Sequence, residues 1–262
     1  MKTTLYYFTA TGNCLDVARN IQKTVGDTDL LSIPPLVRQT SIVPETNCIG
    51  LVFPVYDYGV PLVVREFLDK LDVTNVAYVF AVITCNFLPG LALERVDELL
   101  KKKGKKLNSG FIIRMPGNYI VMYGANPGWM QRYKFNRGKK KVIKIAEFVN
   151  NRKDYGVEKS RAFIDRVLAP KMEKYIAEFN TRDEKFWIDE RCNGCGICQK
   201  VCAFDNIRIV DGKPQWQHQC QQCFGCIHLC PKAAVQIGKS TEKKKRYRNP
   251  SVTLQDIIKS SG

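Results

Sequence analysis

The sequence predicts an α/β chain: a doubly wound parallel sheet of five strands, followed by a small α+β domain rich in cysteine. Three observations carry this expectation. Apolar β-type runs alternate with amphipathic helical patterns through residues 3–115, and such alternation builds a parallel sheet with helices on both faces. The β-type runs are almost continuously apolar, as strands buried on both sides are. The pattern then gives way to two cysteine runs of the form C-x2-C-x2-C-x3-C, which begin 28 residues apart, at Cys192 and Cys220 (220 − 192).

Residues 3–8, TTLYYF, are β-branched and aromatic and read as a buried strand. The loop Thr9, Ala10, Thr11, Gly12, Asn13, Cys14 follows, and then Leu15, Val17, Ala18, Ile21 and Val25 recur at helical spacing. A hydroxyl-rich loop with one glycine, between a strand and a helix, presents backbone N–H groups where unpaired donors and the helix dipole favour a phosphate. It is neither a Walker loop nor a GxGxxG fingerprint, and a plain helix cap would use similar residues. Leu30–Ile33, Asn47–Phe53, Ala77–Thr84 and Phe111–Met115 supply four further strands. Residues 62–71 and 91–102 supply helices, the second ended by Gly104. In doubly wound sheets ligands bind beyond the C-terminal ends of the strands, where strand order reverses. Three loops fall at those ends: 9–14, 54–60 and 84–90. The second contains Pro54, Val55, Tyr56, Asp57, Tyr58 and Gly59, and the third Thr84, Cys85, Asn86 and Phe87.

Residues 116–157 interrupt the alternation. PGNYIVMYGANPGWM has no clean period and reads as an ordered loop of the functional kind. It leaves the fifth strand at the ligand end. Asn118, Tyr119 and Trp129 are therefore candidates to line a cover, unless the loop simply packs on the surface. Lys139–Asn150 and Glu158–Phe179 read as helices. The second, with Pro170 as a kink, is the better candidate for the last helix on the sheet. The first domain is thus expected to span 1–180, with 116–157 as an insertion. A polar linker at 180–184 leads to a second domain at 185–240 and a basic tail at 241–262. Between the cysteine runs, IRIVDGKPQW reads as a hairpin turning at Asp-Gly, and Ala234–Ile237 as the matching strand. In the tail, Thr253–Asp256 reads as the cap of a short helix that docks on the body.

The net charge is +16, from 41 Lys plus Arg against 25 Asp plus Glu. Such a balance invites a nucleic-acid reading. The basic residues, however, are scattered over 101–106, 136–141 and 243–248 without the aromatic framework of a nucleic-acid module. Solvated surface and the docking of an acidic partner remain open. No apolar run approaches the roughly 20 residues of a membrane span. The N-terminus reads as a strand rather than a signal sequence, so a cytoplasmic protein with reduced thiols is expected.

Three cysteines at two-residue spacing can wrap one side of a cubane iron–sulfur cluster, whose fourth thiolate then comes from elsewhere. Zinc sites use pairs of C-x2-C and have no need of a third cysteine in each run. Disulfides would require an oxidising compartment. A single surviving cluster is a further possibility, since Ala203 stands where the second run carries Pro231. His218 and His228 lie among the cysteines and read as surface or supporting groups. Cys14, Cys48 and Cys85 are spare thiols with structural roles, of which Cys14 and Cys85 lie on the ligand loops.

The paired runs resemble those of two-cluster bacterial ferredoxins, in which the fourth cysteine of each run ligates the other cluster. That resemblance implies two 4Fe–4S clusters, one on Cys192, Cys195, Cys198 and Cys230, the other on Cys220, Cys223, Cys226 and Cys202. The loop TATGNC is similar to the flavodoxin phosphate loop T/S-x-T-G-N-[T/S], with Cys14 where Thr or Ser is usual, and implies FMN. Flavodoxins hold FMN with the same three loops. By resemblance, Tyr56 or Tyr58 and Phe87 would sandwich the isoalloxazine, and Asn86 with the backbone of 84–87 would meet its edge. The whole chain resembles the flavodoxin–ferredoxin fusion proteins, which implies a flavodoxin-like domain followed by a ferredoxin domain. The implied function is a relay of single electrons between the clusters and FMN, to or from an acidic redox partner or a small-molecule acceptor. An FMN-dependent reductase acting directly on a small molecule is one alternative. An iron–sulfur sensor that binds nucleic acid is another. No Ser/His/Asp or Cys/His constellation stands out, so no side chain is singled out as catalytic.

Overall fold

A computed structural model of the protein describes residues 2–176 and 179–262. Six strands form one parallel sheet in the order β2-β1-β3-β4-β5-β6. They are β1 Thr3–Tyr7, β2 Thr28–Ser32, β3 Cys48–Pro54, β4 Tyr78–Cys85, β5 Ser109–Arg114 and β6 Gly156–Val157. The first five follow the flavodoxin-like order 2-1-3-4-5, whose reversal between β1 and β3 opens a crevice at the strand ends. Alternation along each strand feeds two cores. Ile49, Leu51 and Phe53 of β3 enter one with Val63 and Phe67. Cys48 and Val52 enter the other with Leu15, Val17 and Ile21.

The sheet differs from the five strands expected. β6 pairs with β5 through Ser109–Gly156 and Gly110–Val157. Two residues are too few to display a period, which is why the sequence hides this strand.

The helices are α1 Asn13–Val25, α2 Ile33–Leu36, α3 Leu62–Lys70, α4 Ala92–Lys101, α5 Gly128–Asn150 and α6 Phe163–Ile176. The last helix on the sheet is α5, not the 158–179 segment. Val142, Ile145 and Val149 of α5 share a core with Leu15, Val17, Ala18 and Ile21 of α1. In α6, Phe163, Ile164 and Val167 face solvent. Helix α6 is continuous through Pro170, and its expected continuation through 177 and 178 lies outside the described residues. The expected linker is a 3-10 turn, Phe179–Lys185.

The cysteine-rich part contains β7 Phe186–Ile188, α7 Ile197–Lys200, β8 Ile207–Val210, β9 Lys213–Trp216, α8 Gly225–Leu229 and β10 Val235–Ile237. β8 and β9 form the expected antiparallel hairpin. Asp211 and Gly212 at its turn both have positive φ, 49° and 72°, as a type I′ turn requires. β10 pairs with β7 rather than with that hairpin. This part is no separate bead. Ala203, Phe204 and Cys223 pack against one sheet core, and Val201 and Leu229 belong to the other.

The tail ends in α9, Leu254–Ser261. Thr253 and Asp256 form a reciprocal capping box at its start. Arg19 of α1 donates to both Asp256 oxygens, at 3.1 and 2.7 Å. Among the described residues, no helix is long and apolar enough to cross a membrane.

Candidate functional site

The loop after β1 ends at Gly12, which precedes α1 with φ 96°. A Cβ there would meet Val252 Cβ at 2.9 Å and Asn249 Cβ at 3.1 Å, so both conformation and close approach require glycine. The first-turn amides of α1 have no partner within their own helix. The side chains of the loop brace it. Thr9 Oγ1 accepts from Gly12 N at 3.1 Å. Asn13 Nδ2 donates to Pro116 O at 2.8 Å, while its Oδ1 accepts from Tyr247 Oη at 2.6 Å. Thr11 Oγ1 accepts from Asn118 Nδ2 at 3.1 Å. Asn13 is committed to protein partners, whereas Thr9 and Thr11, whose hydroxyls accept here, keep an O–H to donate at the cavity wall. Cys14 Sγ shares a hydrogen bond of 3.1 Å with Thr84 Oγ1. Burial pushes the Cys14 thiol up to about 12, so it stays protonated at neutral pH.

The second loop is a tight reversal. Asp57 and Tyr58 have φ 43° and 65°, and Gly59 N donates to Tyr56 O at 2.8 Å. The third loop locks onto it. Leu91 N donates to Tyr58 O at 2.9 Å. Gly90 lies so close that a Cβ would stand 2.0 Å from Tyr58 O. Helix α6 is pinned to the same place by buried Asp165, whose Oδ2 accepts from Gly90 N at 2.9 Å.

These loops meet at a cavity of about 580 Å³, within the range of small-molecule sites. Of the loop residues singled out from sequence, all but Gly12 and Gly59 line it. Tyr56 Oη is buried in its wall with no hydrogen-bond partner. Burial pushes this hydroxyl well above its usual range, and the thiols of Cys223, Cys14 and Cys220 add to the effect. An unpaired buried hydroxyl at a cavity wall is where a ligand's polar atom fits. Phe87 is 60 % exposed and meets Tyr123 edge-on, with ring centroids 6.3 Å apart. Asn118 and Tyr119 line the cavity as expected. Trp129 does not, because α5 begins at Gly128 and carries it outward.

Sequence reasoning missed several wall residues. Leu168 and Met172 come from α6, and Met122 and Tyr123 from the cover. Lys134 of α5 is buried beside the third loop. Its ammonium donates to both oxygens of Asn86 and sits 5.0 Å from the Phe87 ring centre. Burial lowers its pKa. Lys134 shares the buried face of α5 with Gly138, Val142, Ile145 and Val149, but a charged residue at the head of that register reads as solvated in sequence.

The most informative wall residues are Gln221, Gln222, Cys223 and Phe224, from the second cysteine run. A Cβ on Gly225 would stand 3.5 Å from Ala10 O and 3.8 Å from Cys223 Sγ, so this run abuts the first ligand loop. Gln221 Oε1 accepts from Val63 N at 3.0 Å. His228 Nε2 donates to Asn118 O at 2.7 Å, and its Nδ1 accepts from Tyr247 N at 3.0 Å. Both ring nitrogens are used, and burial lowers the imidazole pKa to about 4, which keeps it neutral. His218 is instead paired through Nδ1 with Asp183 at 2.7 Å.

All eleven cysteines are free thiols. Burial pushes the Cys198 thiol up to about 11, and the thiols that reinforce the shift are Cys230, Cys192 and Cys195. These four line one small pocket with Ile209 and Pro214 of the hairpin. Burial raises Cys226 strongly, reinforced by Cys223, Cys220 and Cys202. Thiols so placed resist ionising alone, and a cationic core among them would reverse that. Among the described residues, no group of three or more His, Cys, Asp and Glu side chains could hold a metal ion. Cys48 lies buried in the sheet core and does not line the cavity.

No protein-family model matches the chain, and no curated protein matches it. Among solved structures, it is similar to a flavodoxin from the domain Archaea, with 16 % identity, 57 % of this chain and 99 % of that one covered, and a TM-score of 0.33. It is similar to the two-electron reduced flavodoxin of Megasphaera elsdenii, with 15 % identity, 55 % and 98 % covered, and a TM-score of 0.33. It is also similar to rubredoxin oxygen:oxidoreductase from Desulfovibrio gigas, with 11 % identity, 58 % and 35 % covered, and a TM-score of 0.39. Likenesses of this size carry no argument, and the fold class stands on the strand order.

Proposed function

We propose that the protein is an electron carrier that binds FMN in the 580 Å³ cavity and two 4Fe–4S clusters on the cysteines. It relays single electrons between them, to or from an acidic partner protein or a small-molecule acceptor. The observation that carries the reading is the shared wall: Cys223 and Phe224 of the second run line the same cavity as the loop at 9–14.

In this reading the amides at the start of α1 hold the phosphate. Tyr58 and Phe87 flank the ring system, Tyr56 Oη meets one of its polar atoms, and Lys134 holds Asn86 against its edge. Bound there, FMN joins one-electron carriers to two-electron chemistry. The two thiol neighbourhoods fit crossed ligation: Cys192, Cys195, Cys198 and Cys230 for one cluster, Cys220, Cys223, Cys226 and Cys202 for the other. In a cubane each thiolate binds its own iron, so the four need not converge on a single point as ligands of one zinc ion do. The second set lies beside the cavity, and the first, with Cys195 exposed, faces solvent. The electron path would therefore run from solvent through the first set to the second and on to the cavity.

Anaerobic purification with iron, sulfide and flavin quantitation tests this. About eight iron, eight sulfide and one FMN per chain are expected, from two cubanes and one cavity. Zinc without sulfide would remove the clusters. Iron without flavin would leave the α/β part a scaffold.

A further inference from the structure

The mouth of the cavity is more apolar than a site for a small solute needs. On one side Phe87 and Met122 line the cavity and are exposed by 60 and 73 %. Trp129 and Tyr133, exposed by 64 and 56 %, stand outside it on the first turns of α5, the helix whose Lys134 reaches Asn86 and Phe87. On the other, α6 turns Leu168 and Met172 into the cavity and leaves Phe163, Ile164 and Val167 in solvent. Among the described residues, eight of the thirteen exposed large hydrophobic side chains stand on the elements that frame this opening, Ile143 of α5 being the eighth. Concentrations of this kind mark interaction sites.

Charge says what covers them. Helix α5 carries seven Lys and Arg residues against one acid, Glu147. Its first turns abut the rim, since Lys134 reaches Asn86 and Phe87. Trp129, Tyr133, Arg137, Lys140 and Lys144 follow at spacings of four, four, three and four, one exposed stripe of a helix. Arg137 Nη1 donates to Tyr133 Oη at 2.9 Å, which stiffens the aromatic end of the stripe. No carboxylate among the described residues forms an ion pair with Arg132, Arg137, Lys140 or Lys144. Across the opening, α6 and its approach expose Arg161, Arg166 and Lys171. Asp165 there is buried, and Glu158 is paired with Lys141.

We infer that this rim is the docking surface for an acidic electron-transfer protein, seated over the mouth of the cavity with its carboxylates along α5. The inference rests on the electron-carrier reading and deepens it, since it makes the partner at the cavity a protein. An apolar centre with charged margins is the anatomy of a protein interface. Phe87, Trp129 and Tyr133 could stack bases, but Met122, Ile164 and Val167 offer a base nothing and suit the apolar centre of a protein partner. The apolar groups come from several elements around a hollow, unlike the single face of a membrane-surface helix.

The test measures affinity by calorimetry, with the purified holoprotein and an acidic two-cluster ferredoxin as the probe. Arg137→Glu/Lys140→Glu is expected to weaken binding roughly tenfold or more at low salt and to flatten its salt dependence. Trp129→Ala/Tyr133→Ala is expected to weaken it by about tenfold at any salt concentration. Arg208→Glu/Lys213→Glu, on the hairpin beside the first cysteine run, is expected to change it less than about twofold. Unaltered binding by both rim variants overturns the proposal, as does a loss confined to the hairpin variant, which would place the partner on the first run. So does tighter binding, in competition with the ferredoxin, of a mixed-sequence single-stranded oligonucleotide or anionic vesicles. The readout is affinity, and flavin content is measured alongside. Protein without FMN would sink the carrier reading while the affinities still decide the docking surface.

Discussion

The two cysteine runs share one spacing and occupy opposite environments. The first lies outward. Cys195 is exposed, and the pocket formed by its quartet is closed by the β8–β9 hairpin and by local glycines. The second is woven into the α/β body. Cys223 lines the large cavity, Gln221 accepts from the first turn of α3, and His228 ties the run to the cavity cover and the tail. Through Asn118, that imidazole is linked onward to Thr11 in the first ligand loop. Identical local chemistry has acquired an inner and an outer role from packing alone.

Single thiol deletions break this comparison most directly. Cys223→Ala and Cys195→Ala are each expected to lose about four of about eight iron atoms. Only Cys223→Ala should also weaken FMN binding, by roughly tenfold or about 1.4 kcal/mol, because only its run forms part of the cavity wall. Flavin titration of both variants reads this out, and equal flavin affinity would remove the distinction between inner and outer runs. Crossed ligation gives a second test of similar size. Cys202→Ser should damage the cluster of the second run and Cys230→Ser that of the first, as resolved by electron paramagnetic resonance of the reduced proteins. Loss confined to each variant's own run would contradict the pairing.

A smaller effect probes the link between the inner run and the ligand loop. His228→Leu leaves Asn118 O and Tyr247 N without their partner. Each unpaired buried group costs about 1–3 kcal/mol, so a lowered melting temperature and faster FMN release are expected. The same substitution at His218, which is largely exposed and paired only with Asp183, should leave FMN release unchanged.

How much of this was legible in the sequence depended on the range of the interaction. Periodicity located five strands and most helices, because burial on both faces of a parallel sheet writes itself into consecutive residues. It failed at β6, where two residues have no period. It misassigned the last helix, because α5 is so rich in lysine that its apolar positions Val142, Ile145 and Val149 form only a narrow stripe. The three ligand loops could be located because strand order fixes where a doubly wound sheet binds. Asn118 and Tyr119 of the cover were legible as candidates, but Met122, Tyr123 and the wall residues from α6 and the second cysteine run were not, since their place in the wall depends on tertiary docking. Lys134 is the sharpest case: it sits in register with the buried Gly138 and Val142 of α5, yet only the fold shows that its ammonium is held against Asn86.

The tail supplies the smallest test. It closes over the inner side of the molecule: Asn249 N donates to Thr11 O at 2.8 Å, and Ser261 Oγ to Val201 O, just before Cys202, at 3.3 Å. Its helix is fastened by Asp256. The Arg19 guanidinium, followed by the Thr253 amide, holds this carboxyl well below the usual carboxylate range. With a folded pKa below that of the unfolded chain, Asp256 contributes its stability in full above about pH 3.9 and loses it progressively as the pH falls below that value. Asp256→Asn should therefore cost about 1 kcal/mol at neutral pH, typical of a lost cap. That difference from the wild type should shrink as denaturant unfolding is repeated from about pH 7 towards pH 3. Because the tail touches the ligand loop through Tyr247, Asn249 and Val252 rather than through α9, flavin affinity should change far less than in Cys223→Ala. A loss of FMN as large as in that variant would mean that the tail, and not the second cysteine run, is what holds the cavity in shape.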